Sequence, residues 1–185
     1  MTNNTPPIGP PLPPSEPPAP LASTRPSLSL PGPLLATWFG SGYLPKAPGT
    51  WGSLAALPYA WIIMKMGGQN ALLAAIVVVF SVGLWASKDY MARTKTHDPG
   101  AIVIDEVVGQ WIVLLAAPLD PALYIFGFVL FRLFDIFKPW PISKADQSIP
   151  GAMGVMIDDV IAGLFGLAVL VLVNLYLRPY VQGPF

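Results

Sequence analysis

Carboxylates in apolar surroundings are the side chains of this sequence that are best suited to chemistry. Of the ten acidic residues, six lie in or against apolar segments: Asp98, Asp105, Glu106, Asp135, Asp158 and Asp159. A charge at the centre of a bilayer costs about 2.5–3.5 kcal/mol on insertion scales. Six such charges would cost as much as the whole stability of a domain. We therefore expect these carboxylates to lie at segment ends, in a wet cavity or around bound cations.

The rest of the composition favours oxygen ligands and a hard cation. The chain has no cysteine and a single histidine, His97. This excludes disulfides, thiolate metal sites, cysteine-nucleophile phosphatases and sites that need two imidazoles. Mg²⁺ prefers carboxylate oxygens and commonly links them to a substrate phosphate. The sequence therefore predicts metal-dependent phosphate chemistry, with the six acidic residues above as metal ligands and four of them as catalytic residues: Asp105, Glu106, Asp135 and Asp159.

A loop rich in glycine and hydroxyl groups, residues 39–53, precedes the first long apolar segment. Free N–H groups at a helix N-terminus attract anions, and Ser53 is a natural N-cap. One interpretation is a cradle for phosphate or glycerol, with Lys46, Thr50 and Ser53 as substrate contacts. The other is an interfacial loop whose glycines only turn the chain.

Three charged residues follow one another at i, i+3 and i+6 near the end of a later apolar segment. Arg132 and Lys138 are suited to holding phosphate oxygens, with Asp135 on a metal. Alternatively, Arg132 and Asp135 form a helix salt bridge and Lys138 caps the helix.

The remaining carboxylates also have a structural alternative, because acidic residues favour helix N-termini. Asp98 before Pro99 is typical of an N-cap followed by the first helical residue, which would put Asp98 and Asp105 on one helix face. Asp158 and Asp159 could likewise cap the last helix, although a divalent cation would relieve their repulsion.

A shared Asp-x-x-x-Gly spacing links two of these motifs, Asp105 to Gly109 and Asp159 to Gly163. In each motif the glycine would let a neighbouring helix approach closely.

The elements that must position these residues are apolar. The apolar fraction is 54% and the charged fraction 11%, which points to a lipid environment. Five segments have the composition of membrane helices, and the second and fifth are long enough to span: Leu54–Met66, Ala71–Ser87, Gln110–Ala117 extended back through Ile102, Ala122–Phe137 and Val160–Leu177. We predict an all-α, polytopic helical bundle of four to five apolar helices over residues 34–185.

Residues 1–33 are rich in proline and have no apolar periodicity, which predicts a disordered tail. Lys88, Arg93 and Lys95 follow the second segment, and Lys138 and Lys144 follow the fourth, so these loops should face the cytoplasm. The same parity places every polar motif on that side of the membrane. A formal net charge of zero gives no indication of a nucleic-acid partner.

At these motifs the chain closely resembles the phosphatidylglycerophosphatase A family. The likeness runs from about Trp38 to Leu177 in four ordered blocks, within residues 39–53, 98–109, 131–141 and 154–163. The resemblance implies Mg²⁺-dependent hydrolysis of phosphatidylglycerophosphate to phosphatidylglycerol at the bacterial inner membrane. Three alternatives stay open: a phosphatase on another lipid phosphate, an enzyme similar to CDP-alcohol phosphotransferases, whose long aspartate signature is absent, and a cation-coupled transporter.

Overall fold

The computed structural model describes residues 25–96, 99–140, 142–144 and 149–181, with side chains as far as residue 176. Most of the predicted tail therefore lies outside the described residues. Helices and loops account for all of the described part, which confirms the predicted all-α class. Its elements are α1 (Pro31–Ala36), a 3₁₀ turn (Ser41–Tyr43), α2 (Pro48–Thr94), α3 (Ile104–Leu114), α4 (Pro121–Phe137) and α5 (Gly151–Val181).

Helix α2 consists of two helical segments, residues 48–67 and 69–94, that meet at Gly68. Gly68 has φ 66° and ψ −163°, a backbone conformation that is open to glycine and strained for other residues. The predicted apolar segments Leu54–Met66 and Ala71–Ser87 lie on the two sides of this break. The first segment runs beside α3 in the same direction and the second returns, as three contacts show: Gly52 with Val103, Gln69 with Leu115, and Gly83 with Ile104.

Helix α3 is the buried centre of the bundle. It has 11 residues, and every one except Glu106 is buried. At about 1.5 Å per residue it is much shorter than a bilayer core of about 30 Å. Its last turn is followed by two carbonyls that accept hydrogen bonds from neighbouring helices, Leu115 from Gln69 at 2.9 Å and Ala116 from Asn174 at 2.6 Å. The third predicted segment is therefore an internal helix enclosed by the others and is too short to span.

Among the described residues, two helices are long and apolar enough to cross a membrane. They are Pro48–Thr94 and Gly151–Tyr176, in which an 18-residue stretch has a mean hydropathy of 2.0 and 2.3, respectively. Much of their apolar surface faces outward, and Val77, Val78 and Leu172 are exposed, as expected for helices that contact lipid rather than a soluble core. These features support a membrane protein, whereas the predicted count of four to five apolar helices is not confirmed.

Three predicted helix starts are wrong. Helix α2 begins at Pro48, so Ser53 lies inside the helix and not at its N-cap. A proline is favoured at the first helical position because its φ is already helical and it has no N–H to leave unpaired. Helix α3 begins at Ile104 and not at Pro99. The preceding residues form a turn in which Val103 donates its backbone N–H to the Ala36 carbonyl at 2.9 Å.

Helix α5 begins at Gly151, well before Val160. Asp158 and Asp159 therefore lie two turns inside the helix, where the first-turn N–H groups are out of reach. The capping alternative for this aspartate pair is wrong.

Candidate active site

The polar motifs meet at one end of the bundle. The N-termini of α2 and α3, the C-terminus of α4 and the first turns of α5 surround a cavity of about 490 Å³. Seven charged side chains line it: Asp105, Glu106, Arg132, Asp135, Lys138, Asp158 and Asp159. The cavity brings together groups that are more than fifty residues apart in the sequence.

Three of the carboxylates that line this cavity converge on one point. Asp105, Glu106 and Asp159 each present an oxygen, and these oxygens lie within 4.8 Å of one another. Asp105 is 7% exposed and Asp159 is 4% exposed. One oxygen of each of the three residues is buried without a hydrogen-bond partner: Asp105 Oδ1, Glu106 Oε2 and Asp159 Oδ2. Converging, buried carboxylates need a compensating positive charge, so this donor set fits a hard divalent cation such as Mg²⁺.

A contact between two glycines brings α3 and α5 close enough to form this cluster. A Cβ atom at Gly163 would lie 2.6 Å from the Gly109 carbonyl oxygen, and a Cβ at Gly109 would lie 2.6 Å from the Asp159 carbonyl oxygen. Neither helix could approach so closely with a larger residue there. Helices α3 and α5 therefore cross at the glycines of the two Asp-x-x-x-Gly motifs. Asp105 and Asp159 each lie one turn N-terminal to this crossing.

Two carboxylates of the cavity are paired with basic side chains. Asp135 pairs with Arg132 on the same helix, and both are largely buried. Asp158 pairs across helices with Lys138, whose Nζ lies 2.6 Å from Asp158 Oδ2. Arg132 Nε is buried without a hydrogen-bond partner, so the guanidinium retains a donor for a further acceptor. Arginine and lysine are the usual ligands of phosphate oxygens.

The other predicted substrate contacts do not line the cavity. Lys46 is exposed and Thr50 is partly exposed. The hydroxyl of Ser53 is buried and donates to the Gly49 carbonyl within α2 at 2.8 Å. Their roles in binding remain predictions. The predicted ligand Asp98, like His97, lies outside the described residues.

Two residues of interest were not singled out from the sequence. A Cβ at Gly49 would collide with the side chains of Glu106 and Arg132, so a larger residue there would displace both from their positions in the cavity. In the sequence, Gly49 is one of several glycines within residues 39–53, and nothing distinguishes it from the others. Gln110 is fully buried, with neither amide atom hydrogen-bonded, and lies one turn after Glu106. The sequence feature that could have identified Gln110 is its position as a polar residue within an apolar run.

Comparison with known proteins agrees with this geometry. A sequence model of phosphatidylglycerophosphatase A matches residues 34–174. The chain belongs to the phosphatidylglycerophosphatase A family. This membership confirms the family predicted from the motifs, and with it the predicted class of enzyme, a phosphatase.

The match to each of three relatives covers most of this chain and most of the relative. The phosphatidylglycerophosphatase A of Escherichia coli K12 is 39% identical over 151 residues, 81% of this chain and 87% of the relative. That of Haemophilus influenzae is 42% identical, over 74% of this chain and 84% of the relative. A Bacteroides thetaiotaomicron protein that is named provisionally as a phosphatidylinositol-3-phosphatase is 44% identical, over 71% and 86%. No solved structure matches the chain.

Proposed function

We propose that this protein hydrolyses the terminal phosphate monoester of phosphatidylglycerophosphate in a Mg²⁺-dependent reaction, releasing phosphatidylglycerol and inorganic phosphate. The observation that carries the proposal is the cavity at one end of an apolar bundle. A three-carboxylate cluster lies there beside two basic side chains suited to phosphate, Arg132 and Lys138. Family membership supports hydrolysis over transfer.

The charge of the cavity supports a cation requirement. Five carboxylates and two basic side chains line it, which leaves an excess of three negative charges when all seven are ionised. A phosphate monoester is itself an anion and would be repelled by such a surface. Bound divalent cations would remove that repulsion, so we expect metal to bind before the lipid phosphate.

The residues divide the chemistry between them. Asp105, Glu106 and Asp159 would hold Mg²⁺, which supplies Lewis-acid stabilisation of the phosphoryl oxygens and lowers the pKa of bound water. Arg132 and Lys138 would bind phosphoryl oxygens and fix their orientation. A carboxylate of the cluster would accept the proton of the attacking water as its oxygen bonds to phosphorus. The bond from phosphorus to the glycerol oxygen breaks, and that oxygen leaves as an alcohol with a proton returned by the protonated carboxylate or taken from water.

We further propose that the protein is a multi-pass inner-membrane protein whose cavity opens on the cytoplasmic side. The basic residues Lys88, Arg93 and Lys95 lie at the end of α2, which returns to the end of the bundle that holds the cavity. Cytoplasmic loops are enriched in such residues. Trp51 and Trp140 are exposed at the same end, where tryptophan favours the membrane interface.

The direct test is release of inorganic phosphate from phosphatidylglycerophosphate by purified protein in detergent, with EDTA and then added Mg²⁺. We expect release that EDTA abolishes and Mg²⁺ restores. Release that is insensitive to EDTA would contradict the metal site, and no release at all would contradict the function.

A phosphatase on another lipid phosphate is the second candidate, because one relative carries the name of a phosphatidylinositol-3-phosphatase. The same assay with phosphatidylinositol 3-phosphate decides between them. Our proposal requires a higher kcat/KM for phosphatidylglycerophosphate, and a higher value for the inositol lipid would reverse the assignment. The transporter alternative predicts cation flux into proteoliposomes without phosphate release.

A further inference from the structure

Asp158 differs from its neighbour Asp159 in what it faces. Asp159 belongs to the three-carboxylate cluster, which within the described part of the chain does not include Asp158. Consecutive residues of a helix point about 100° apart, so the two carboxylates are presented to different parts of the cavity. The side chain of Asp158 is 7% exposed, and one of its oxygens lies 2.6 Å from Lys138 Nζ.

The position of Lys138 is determined by the backbone. Helix α4 ends at Phe137, and Lys138 is its C-cap residue, with φ 40° and ψ 56° and a backbone N–H that donates to the Phe134 carbonyl. This left-handed conformation is uncommon for residues other than glycine, asparagine and aspartate. Pro139 then directs the chain away from the helix. The lysine amine therefore enters the cavity from the end of α4 and meets Asp158 on α5.

From these contacts we infer that Asp158 is a positioning residue that holds Lys138 for the substrate phosphate, and that it is not a metal ligand. This inference rests on the proposed function. An ammonium group has three donors, so a lysine that is bonded to a carboxylate can donate to phosphoryl oxygens as well. Because the lysine side chain is already ordered before substrate binds, less conformational entropy is lost on binding.

The test compares Asp158→Asn with Asp159→Asn, the same change at the adjacent position. We expect Asp158→Asn to leave Mn²⁺ binding, measured by electron paramagnetic resonance, as in the wild type. Asp159→Asn should weaken it by more than about tenfold. In the phosphate-release assay, Asp158→Asn should raise KM by about 10- to 100-fold, the range for loss of a charge-assisted hydrogen bond, and should lower kcat less.

A double variant tests whether Asp158 acts through Lys138. We expect Lys138→Met to raise KM similarly, and Asp158→Asn to add little in the Lys138→Met background, because coupled residues are not additive. Asp158→Glu, which retains the charge, should restore part of the affinity. Additive effects of the two substitutions on KM would overturn the inference.

Amine acetylation followed by mass spectrometry provides a readout without turnover. Lys138 should react slowly in the wild type and faster in Asp158→Asn, and inorganic phosphate with Mg²⁺ should slow it in both. Equal labelling rates in the two proteins, or loss of Mn²⁺ binding in Asp158→Asn comparable to that in Asp159→Asn, would overturn the role of Asp158. If the wild type released no phosphate from the lipid, the proposed function would fail, and labelling and Mn²⁺ binding would still decide on Asp158.

Discussion

The glycine contact between α3 and α5 leads to a specific prediction, that Gly163→Ala impairs the site without changing any of its polar groups. The added Cβ would lie 2.6 Å from the Gly109 carbonyl oxygen, whereas ordinary contacts begin at 3.4 Å. The helices must therefore separate by about 0.8 Å, the difference between these distances. Catalytic groups need placement within about 0.5 Å, and an error of about 1 Å can cost about 100-fold in rate.

We therefore expect Gly163→Ala to lower kcat/KM for phosphate release by about 10- to 100-fold. Its affinity for Mn²⁺ should fall as well, because Asp105 and Asp159 are displaced from each other. The helix itself should not suffer, since alanine is a better helix former than glycine by about 1 kcal/mol. Size-exclusion chromatography in detergent and circular dichroism would verify that the variant is folded.

Gly127→Ala is the matched control. Gly127 is also a buried glycine on a bundle helix, but a Cβ there would meet only side-chain atoms, of which the nearest is Leu114 Cδ2 at 3.2 Å. These atoms can adjust, so activity should stay near that of the wild type. Normal kcat/KM and normal Mn²⁺ affinity in a folded Gly163→Ala protein would refute the reasoning that this crossing sets the distance between the carboxylates.

Further predictions concern the polar groups and the residue that lies against them. Amide replacement of any of four carboxylates should abolish turnover while leaving membrane insertion intact, as measured by phosphate release and membrane fractionation: Asp105→Asn, Glu106→Gln, Asp135→Asn and Asp159→Asn. Near-normal activity in all four would remove the proposed metal site. Arg132→Ala should chiefly raise KM, by about 10- to 100-fold, and an unchanged dependence of rate on lipid concentration would make Arg132 structural. Gly49→Ala should lower kcat/KM because its Cβ collides with Glu106 and Arg132, and a fully active variant would show that these two side chains can shift without harm to the site.

The sequence predicted well those features that depend on local composition. An all-helical class followed from the apolar runs, and a break between the first two runs is found at Gly68. Family membership followed from four ordered motifs. The Asp-x-x-x-Gly spacing also anticipated close helix approach, although that the two glycines contact each other required the structure.

Features that depend on tertiary packing were predicted less well. The segment that ends at Ala117 is as apolar as a span, and composition cannot distinguish a helix that faces lipid from one that faces other helices. Helix α3 is of the second kind. The start of α3 was misplaced because Pro99 is typical of a first turn, whereas a hydrogen bond from Val103 to α1 keeps the preceding residues out of the helix. The pair of Arg132 and Asp135 is local and was one of the two alternatives predicted from the sequence, whereas the partner of Lys138 depends on how the helices are packed.

The central claim is that carboxylates from separate helices bind divalent cation together, and Mn²⁺ binding to the purified wild-type protein tests it most directly. We predict saturable binding, detected by electron paramagnetic resonance, that Mg²⁺ displaces and that Asp105→Asn and Asp159→Asn each weaken strongly. The shared dependence on residues from α3 and α5 is the essential result. Binding that neither substitution affects, or no binding to folded protein, would contradict the account.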